Sequence, residues 1–151
     1  PCCLSNAIAL TPWSPLAGGW LTGKYEAATL PTGNTRLGVD PDRGVEAWRL
    51  RNTDKTWEVL AVLKNMAQEY DRPPAHIALA WLATRPAVAS TLLGVRTLAQ
   101  LQDNLAASDL QLSAEDIGQL TRVSATGLPA YPYQFLEHWS QMDVWKSMGT
   151  D

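Results

Sequence analysis

The chain has 151 residues, 46% of them hydrophobic and 18% charged, with a net charge of −3. These values suit one globular domain and exclude a general attraction to nucleic acid or acidic membranes, so any anion site must be local. No apolar run approaches the ~20 residues that cross a bilayer, and Pro1-Cys2-Cys3-Leu4 lacks the charged head and apolar core of a secretory signal. Cys2 and Cys3 are the only cysteines. Adjacent cysteines make a strained bridge and no metal-ligand spacing accompanies them, so reduced thiols in a cytoplasmic protein, and no metal, are expected.

Ala7 to Thr11 is expected to form a short buried strand that Pro12 ends. Thr11 to Tyr25 (TPWSPLAGGWLTGKY) packs an aromatic ring, a hydroxyl, glycines and a lysine into one turn-rich loop. Such a loop can lay backbone N–H groups, a flat ring and a positive charge against a phosphorylated ligand. Glu26 to Leu50 has no sustained period and carries Pro31, Gly33, Gly38, Pro41 and Gly44, so a flap-like binding loop and simple disorder both stay open.

Trp57, Leu60, Leu63, Ala67 and Tyr70 recur at helical spacing and predict a helix over Thr53 to Tyr70, stopped by Asp71-Arg72-Pro73-Pro74. Pro74 suits the first turn of a second helix, running to Thr84 with Ile77, Ala78, Trp81 and Leu82. Val88 to Leu93 is the second strand, apolar enough to be buried on both faces. Thr97-Leu98-Ala99-Gln100 has the form of a capping box and opens a helix to Ala107, with Leu98, Leu101 and Leu105 inward. Ser113-Ala114-Glu115-Asp116 starts another helix, carrying Ile117, Leu120 and Val123, and a short helix is expected over Gln134 to Trp145. Strands alternating with helices argue for parallel α/β structure, although only two strands are found.

Gly18-x-x-x-x-Gly23-Lys24 almost spells a P-loop, but Tyr25 stands where a magnesium-holding Ser or Thr belongs and no helical pattern follows. A nucleotide hydrolase is therefore the weakest reading. The stretch Leu92 to Asn104 (LLGVRTLAQLQDN) delivers a glycine and an arginine from a strand onto a capped helix. Helix-start N–H groups and a guanidinium favour an anion, and Gln100, Asp103 and Asn104 can share one face. Read alone, Gln100 also serves simply as a cap, Arg96 as a solvated cation, and Asp103 and Asn104 as a polar face.

Taken together, TPWSPLAGGWLTGKY and LLGVRTLAQLQDNL, with Ala75 to Leu82 (AHIALAWL) and Tyr131 to Leu136 (YPYQFL), resemble the carboxy-terminal part of the aldo-keto reductases. The branch is the one that includes bacterial reductases and potassium-channel beta subunits. The resemblance covers nearly the whole chain. It implies a (β/α)8 TIM barrel binding NADP(H) across the carboxy ends of its strands, of which this chain supplies strands seven and eight with their helices. By the same resemblance Trp13 stacks on the nicotinamide, while Ser14, Pro15, Leu16, Ala17 and Gly18 line the pyrophosphate. Lys24 approaches the phosphates, and Arg36 belongs to a loop closing over the cofactor. Gly94, Arg96, Gln100, Asp103 and Asn104 match the adenosine end, Arg96 suiting a 2′-phosphate. The expected layout is residues 1–25 strand and cofactor loop, 26–51 flap-like loop, 52–126 helices, second strand and adenosine-end loop, and 127–151 tail.

Carbonyl reduction needs a hydride donor and a positioned acid. The family takes that acid from a tyrosine tuned by lysine and aspartate, with a histidine nearby, all on earlier strands. Tyr25, Tyr70, Tyr131 and Tyr133 fall in no matching context, and His76 and His138 are expected to be structural or surface residues, so no catalytic residue is assigned. A barrel of this kind takes ~250 residues. The expectation is an incomplete reductase, inactive by itself, whose complete form acts on a small-molecule carbonyl. The alternative is an assembly module that completes a barrel through its exposed strand edges, with a partner chain or a second copy.

Overall fold

A computed structural model of the chain describes residues 2–127. The expected tail helix over Gln134 to Trp145, the Tyr131 to Leu136 match and His138 lie outside the described residues. A short helix α1, Cys2–Ser5, precedes the first strand segment. Two four-residue helices, α2 (Arg36–Val39) and α3 (Trp48–Arg51), punctuate the long loop. The body is built from α4 (Asp54–Glu69), α5 (Pro74–Ala83), α6 (Leu98–Leu105) and α7 (Ala114–Ser124). No helix among the described residues is long and apolar enough to cross a membrane.

The body helices begin and end where their chemistry requires. Thr53 caps α4 by accepting the Thr56 N–H through its hydroxyl. At the other end Asp71 takes the left-handed region at φ 50°. Arg72 N then donates to Ala67 O at 2.9 Å and Asp71 N to Gln68 O at 3.3 Å, a Schellman closure that satisfies the last carbonyls. Pro74 opens α5 at the one turn where a missing N–H costs nothing. Leu60, Leu63, Met66 and Ala67 of α4 meet Ile77 and Ala78 of α5 and Leu120 of α7 in the main core. Burial of each large side chain contributes about 1.5–3 kcal/mol. Leu63→Ala would leave a cavity and cost about 2–5 kcal/mol.

The two strand segments pair in parallel, through isolated bridges Leu10–Val88 and Trp13–Leu92. Leu10 N donates to Ala87 O at 2.6 Å, Ala89 N to Leu10 O at 2.9 Å, and Leu92 N to Pro12 O at 2.9 Å. From one bridge to the next the first segment thus advances three residues and the second four, and Pro12 has no N–H to give. A continuous ladder does not form, and among the described residues no strand longer than a bridge is present. The expected burial fails too. Ile8 is 50% exposed, Leu10 41% and Leu92 55%, as no third strand pairs with either segment among the described residues.

The inward stripe expected of α6 is likewise corrected. Leu98 is 69% exposed and Leu105 53%, and α6 buries no residue fully. Its attachment comes from the 3-10 turn Ala106–Asp109 that follows it, where Ala107 is buried. The long loop departs from expectation in the other direction. Disorder is not what forms there: Leu37 and Ala47 are fully buried, and Trp48 stacks on Trp20 with centroids 5.1 Å apart. Trp57 of α4 meets both indoles edge-on, at 5.8 Å and 6.1 Å, and Tyr25 meets Trp20 at 5.3 Å. Each such pair adds about 0.5–1.5 kcal/mol beyond its buried area. This aromatic cluster holds the loop onto the helices.

Candidate functional site

The turn after Trp13 has a run of left-handed backbone. Ser14, Ala17, Gly18 and Gly19 have φ of 53°, 47°, 66° and 98°. For Ser14 and Ala17 this is a costly conformation, worth about 1–3 kcal/mol each, and it persists only where surroundings enforce it. Local bonds do so in part: Ala17 N donates to Ser14 O at 2.8 Å and Gly19 N to Leu16 O at 2.9 Å. Leu16 packs on the main helical core and Ala17 on the aromatic one. Pro15, immediately before them, is half-buried.

That turn closes around a carboxylate. Glu46 is 5% exposed. Ser14 Oγ donates to its Oε1 at 2.6 Å, and Arg36 Nε pairs with its Oε2 at 2.9 Å. Trp20 Nε1 donates to the Glu46 backbone carbonyl at 2.9 Å. Gly18 lies against the same carboxylate so closely that a Cβ there would collide with it. A hydroxyl, a guanidinium and a bare backbone therefore converge on one anionic group. Three of the expected cofactor residues, Ser14, Gly18 and Arg36, are brought together in this way.

Lys24 takes no part in that cluster. Its Nζ sits 5.2 Å from the centre of the Tyr25 ring, and a Cβ on Gly19 would come within 2.7 Å of it. Lys24 and Tyr25 line a shallow cleft of about 170 Å³ with Thr29, Leu30, Pro31 and Thr35. No helix opens after Gly23; Tyr25 turns inward and is 3% exposed. The phosphate-cradling geometry of a P-loop is not formed there.

The second loop leaves the paired segments at the same end as the first. Trp13 bridges Leu92 in parallel, and Gly94 and Arg96 follow Leu92 by two and four residues. Trp13 is 70% exposed. Gly94 has open space around it, and Arg96 is exposed with no partner for its guanidinium among the described residues. The capping box closes as expected: Gln100 N donates to Thr97 Oγ1 at 3.2 Å, and Gln100 Oε1 accepts the Arg96 N–H at 2.9 Å. Gln100 thus reaches back to the residue before the cap. Asp103 is engaged by His76, whose Nε2 lies 3.1 Å from Asp103 Oδ1. Because an ionised carboxylate only accepts, Nε2 carries the proton. His76 is 3% exposed, and its buried Nδ1 has no partner among the described residues. Asn104 is half-buried beside it on α6.

Two residues escape sequence reasoning. Glu46 lies in a stretch without periodicity, so nothing in its neighbours marks it as buried. His76 sits in the apolar run of α5, where its reach to Asp103, 27 residues away, depends on how α5 and α6 pack. Among the described residues no three His, Cys, Asp or Glu side chains are grouped to hold a metal.

Known sequences match the same regions. The profile of the aldo/keto reductase family matches residues 1–125. An uncharacterized oxidoreductase of Mycobacterium tuberculosis is 36% identical over 133 residues, 88% of this chain and 38% of that protein. A probable voltage-gated potassium channel subunit beta of Arabidopsis thaliana is 34% identical over 110 residues, 73% of this chain and 33% of its own length. Protein tas of Escherichia coli is 31% identical over 120 residues, 78% and 32% of the two chains. The chain therefore spans well under half the length of these relatives, and they include the bacterial and channel-subunit proteins that the sequence resemblance pointed to. With five-sixths of its residues inside the family profile, and the turn that cradles Glu46 and the loop that carries Arg96 both within it, the chain belongs to the aldo/keto reductase family.

Proposed function

We propose that this chain is the NADP-binding, carboxy-terminal portion of an aldo-keto reductase barrel, contributing strands seven and eight to an enzyme that reduces carbonyls to alcohols. The carrying observation is the parallel Trp13–Leu92 bridge, which sends the Ser14–Gly18 turn and the Gly94–Arg96 loop out of one end of the paired segments. The fit to a nicotinamide dinucleotide is supported by chemistry at both loops. The Ser14–Gly18–Arg36 cradle already accommodates an anionic oxygen pair, and the exposed Trp13 face is free to stack. Arg96 is exposed and has no guanidinium partner among the described residues, which suits a ligand for a 2′-phosphate. Gly94, Gln100, Asp103 and Asn104 surround it in sequence, with Lys24 left to reach the phosphates from the loop flank. When bound, the cofactor supplies hydride; the chain's own residues bind and orient it, and none supplies the proton.

Titration of the purified chain with NADPH and NADH, followed by tryptophan fluorescence, tests this reading. NADPH is expected to bind more tightly than NADH, and Arg96→Ala to remove the difference. Equal affinities before substitution, or no binding of either nucleotide, would overturn it. No turnover of an aldehyde is expected from the chain alone. A cytoplasmic setting belongs to the same reading, supported by the free thiols of Cys2 and Cys3.

A second reading is an assembly module. The exposed apolar line Ile8, Leu10, Trp13 and Leu92 along the bridged pair favours it. Light scattering after size exclusion separates the two: a compact monomer at high concentration argues against assembly through this edge.

A further inference from the structure

Glu46 presents the cradle with the charge a phosphate would bring. Its carboxylate lies 2.6 Å from Ser14 Oγ and 2.9 Å from Arg36 Nε, against Gly18, and it is withdrawn from water. A carboxylate buried this way needs compensating donors, and it takes the only hydroxyl and the only guanidinium the turn offers among the described residues. A dinucleotide pyrophosphate and Glu46 cannot share them, because the two anions would sit within contact distance. Rigid supports hold Glu46 in place: Trp20 donates to its carbonyl at 2.9 Å, and Trp48, two residues on, stacks against Trp20 at 5.1 Å. The flanking chain can still move, since Gly44 is left-handed at φ 52° with open space around it and Val45 is 63% exposed.

We propose that Glu46 is an internal occupant of the phosphate cradle, an anion supplied by the chain itself that must leave before the cofactor's pyrophosphate enters. The inference rests on the reading of this turn as a phosphate site. The Glu46 side chain, with the Gly44–Val45 backbone before it, is the moving part, while Trp48 stays stacked on Trp20. While it is in place, the apparent affinity of any phosphate ligand is reduced by the fraction of molecules in which the cradle is free. Ser14 and Arg36 are held ready in the geometry an anion requires, so the device tunes affinity without dismantling the site.

Inorganic pyrophosphate and NADPH, each titrated by calorimetry into the wild-type chain and Glu46→Gln, test this. Glutamine keeps the size and can accept from Ser14, but it lacks the charge. Glu46→Gln is expected to bind pyrophosphate about tenfold more tightly than wild type, as removal of a mostly closed state requires. Equal or weaker binding would overturn the proposal and assign Glu46 to clasping the ligand or to folding alone. A gain for pyrophosphate with no binding of NADPH by either protein would leave the internal occupant standing and remove the nucleotide reading. Should Glu46→Gln unfold, hydrogen exchange on the wild type decides. Amides 44–46 are expected to exchange faster with pyrophosphate present, and slower or unchanged exchange would sink the idea.

Discussion

The two loops that leave the Trp13–Leu92 bridge are built differently. The first is tied down: Trp20 is 1% exposed, Tyr25 3%, and the Ser14–Gly18 turn before them is closed around the Glu46 carboxylate. The second is open: Leu92 is 55% exposed, Gly94 meets nothing, and Arg96 points its charge at no partner among the described residues. Preorganisation is therefore uneven along the proposed ligand path. At one end donors are fixed but already matched, and at the other a cation is unmatched but unfixed. A ligand that bridges both ends would exchange one internal ion pair for a new one and order the free guanidinium.

The aromatic cluster is where that contrast breaks most easily. Trp20→Ala removes the ring shared by Tyr25, Trp48 and Trp57 and leaves the Glu46 carbonyl without its indole donor. A loss of about 3–5 kcal/mol in unfolding stability is expected by urea titration. Leu98→Ala on the open side is expected to stay within about 0.5 kcal/mol. Comparable losses at the two positions would mean that α6 is covered by something in solution.

Gly18→Ala sharpens the picture at a single backbone position. At φ 66° an alanine is strained, and its Cβ meets the Glu46 carboxylate. A cost of about 1–3 kcal/mol is expected in the same measurement, and the double variant with Glu46→Ser should relieve the part that comes from the collision while the backbone strain remains. Additive effects would place the strain in the backbone alone and leave Glu46 out of it.

The parts of the molecule legible in the sequence are those whose signals are local. Thr53, Pro74, Thr97 and Ser113 mark four helix starts to within one residue, because a cap or a first-turn proline acts on backbone groups at most three residues away. The pairing of the two apolar segments in parallel is legible from their order with helices between them. Their burial is not. An apolar run states what a segment prefers and leaves open whether neighbours exist to cover it, so Leu10, Leu92, Leu98 and Leu105 read as core and stand exposed. Glu46 is illegible for the opposite reason: its partners Ser14 and Arg36 lie 32 and 10 residues away, joined only once the tryptophans fold the loop back. The resemblance carried Ser14, Gly18 and Arg36 to one ligand, and the carboxylate that gathers them had no motif of its own.

Arg96→Ala tests the open end. With no partner for its guanidinium among the described residues, its removal should change stability by less than about 0.5 kcal/mol. It should nonetheless weaken NADPH about tenfold, the scale of one charge-assisted hydrogen bond. A stability loss larger than the affinity loss would show that the guanidinium serves the fold, and the contrast between the loops would then fail at its exposed side.

The smallest expected effect concerns a second carboxylate that accepts a serine hydroxyl at 2.6 Å, this one on the helical body. Asp116 accepts from Ser113 Oγ at that distance and from Tyr70 Oη at 2.5 Å, joining α7 to the end of α4. The Ser113 hydroxyl, and after it the Tyr70 hydroxyl, hold the Asp116 pKa below its ordinary value, against a small opposing effect of burial. Because the folded pKa is the lower one, folding favours the ionised form. The stability this contributes is fully present above the unfolded value of about 4 and is lost as pH falls through the folded value. Between about pH 5 and pH 3 the melting temperature of wild type should therefore fall slightly more than that of Asp116→Asn, with Tyr70→Phe in between. Glu46 serves as the contrast, since its donors belong to the ligand cradle: saturating pyrophosphate should leave the acid difference between wild type and Asp116→Asn unchanged. If the ligand abolished that difference, the cradle and the helical body would be one cooperative unit, and the separation between a tied loop and its scaffold would have to be given up.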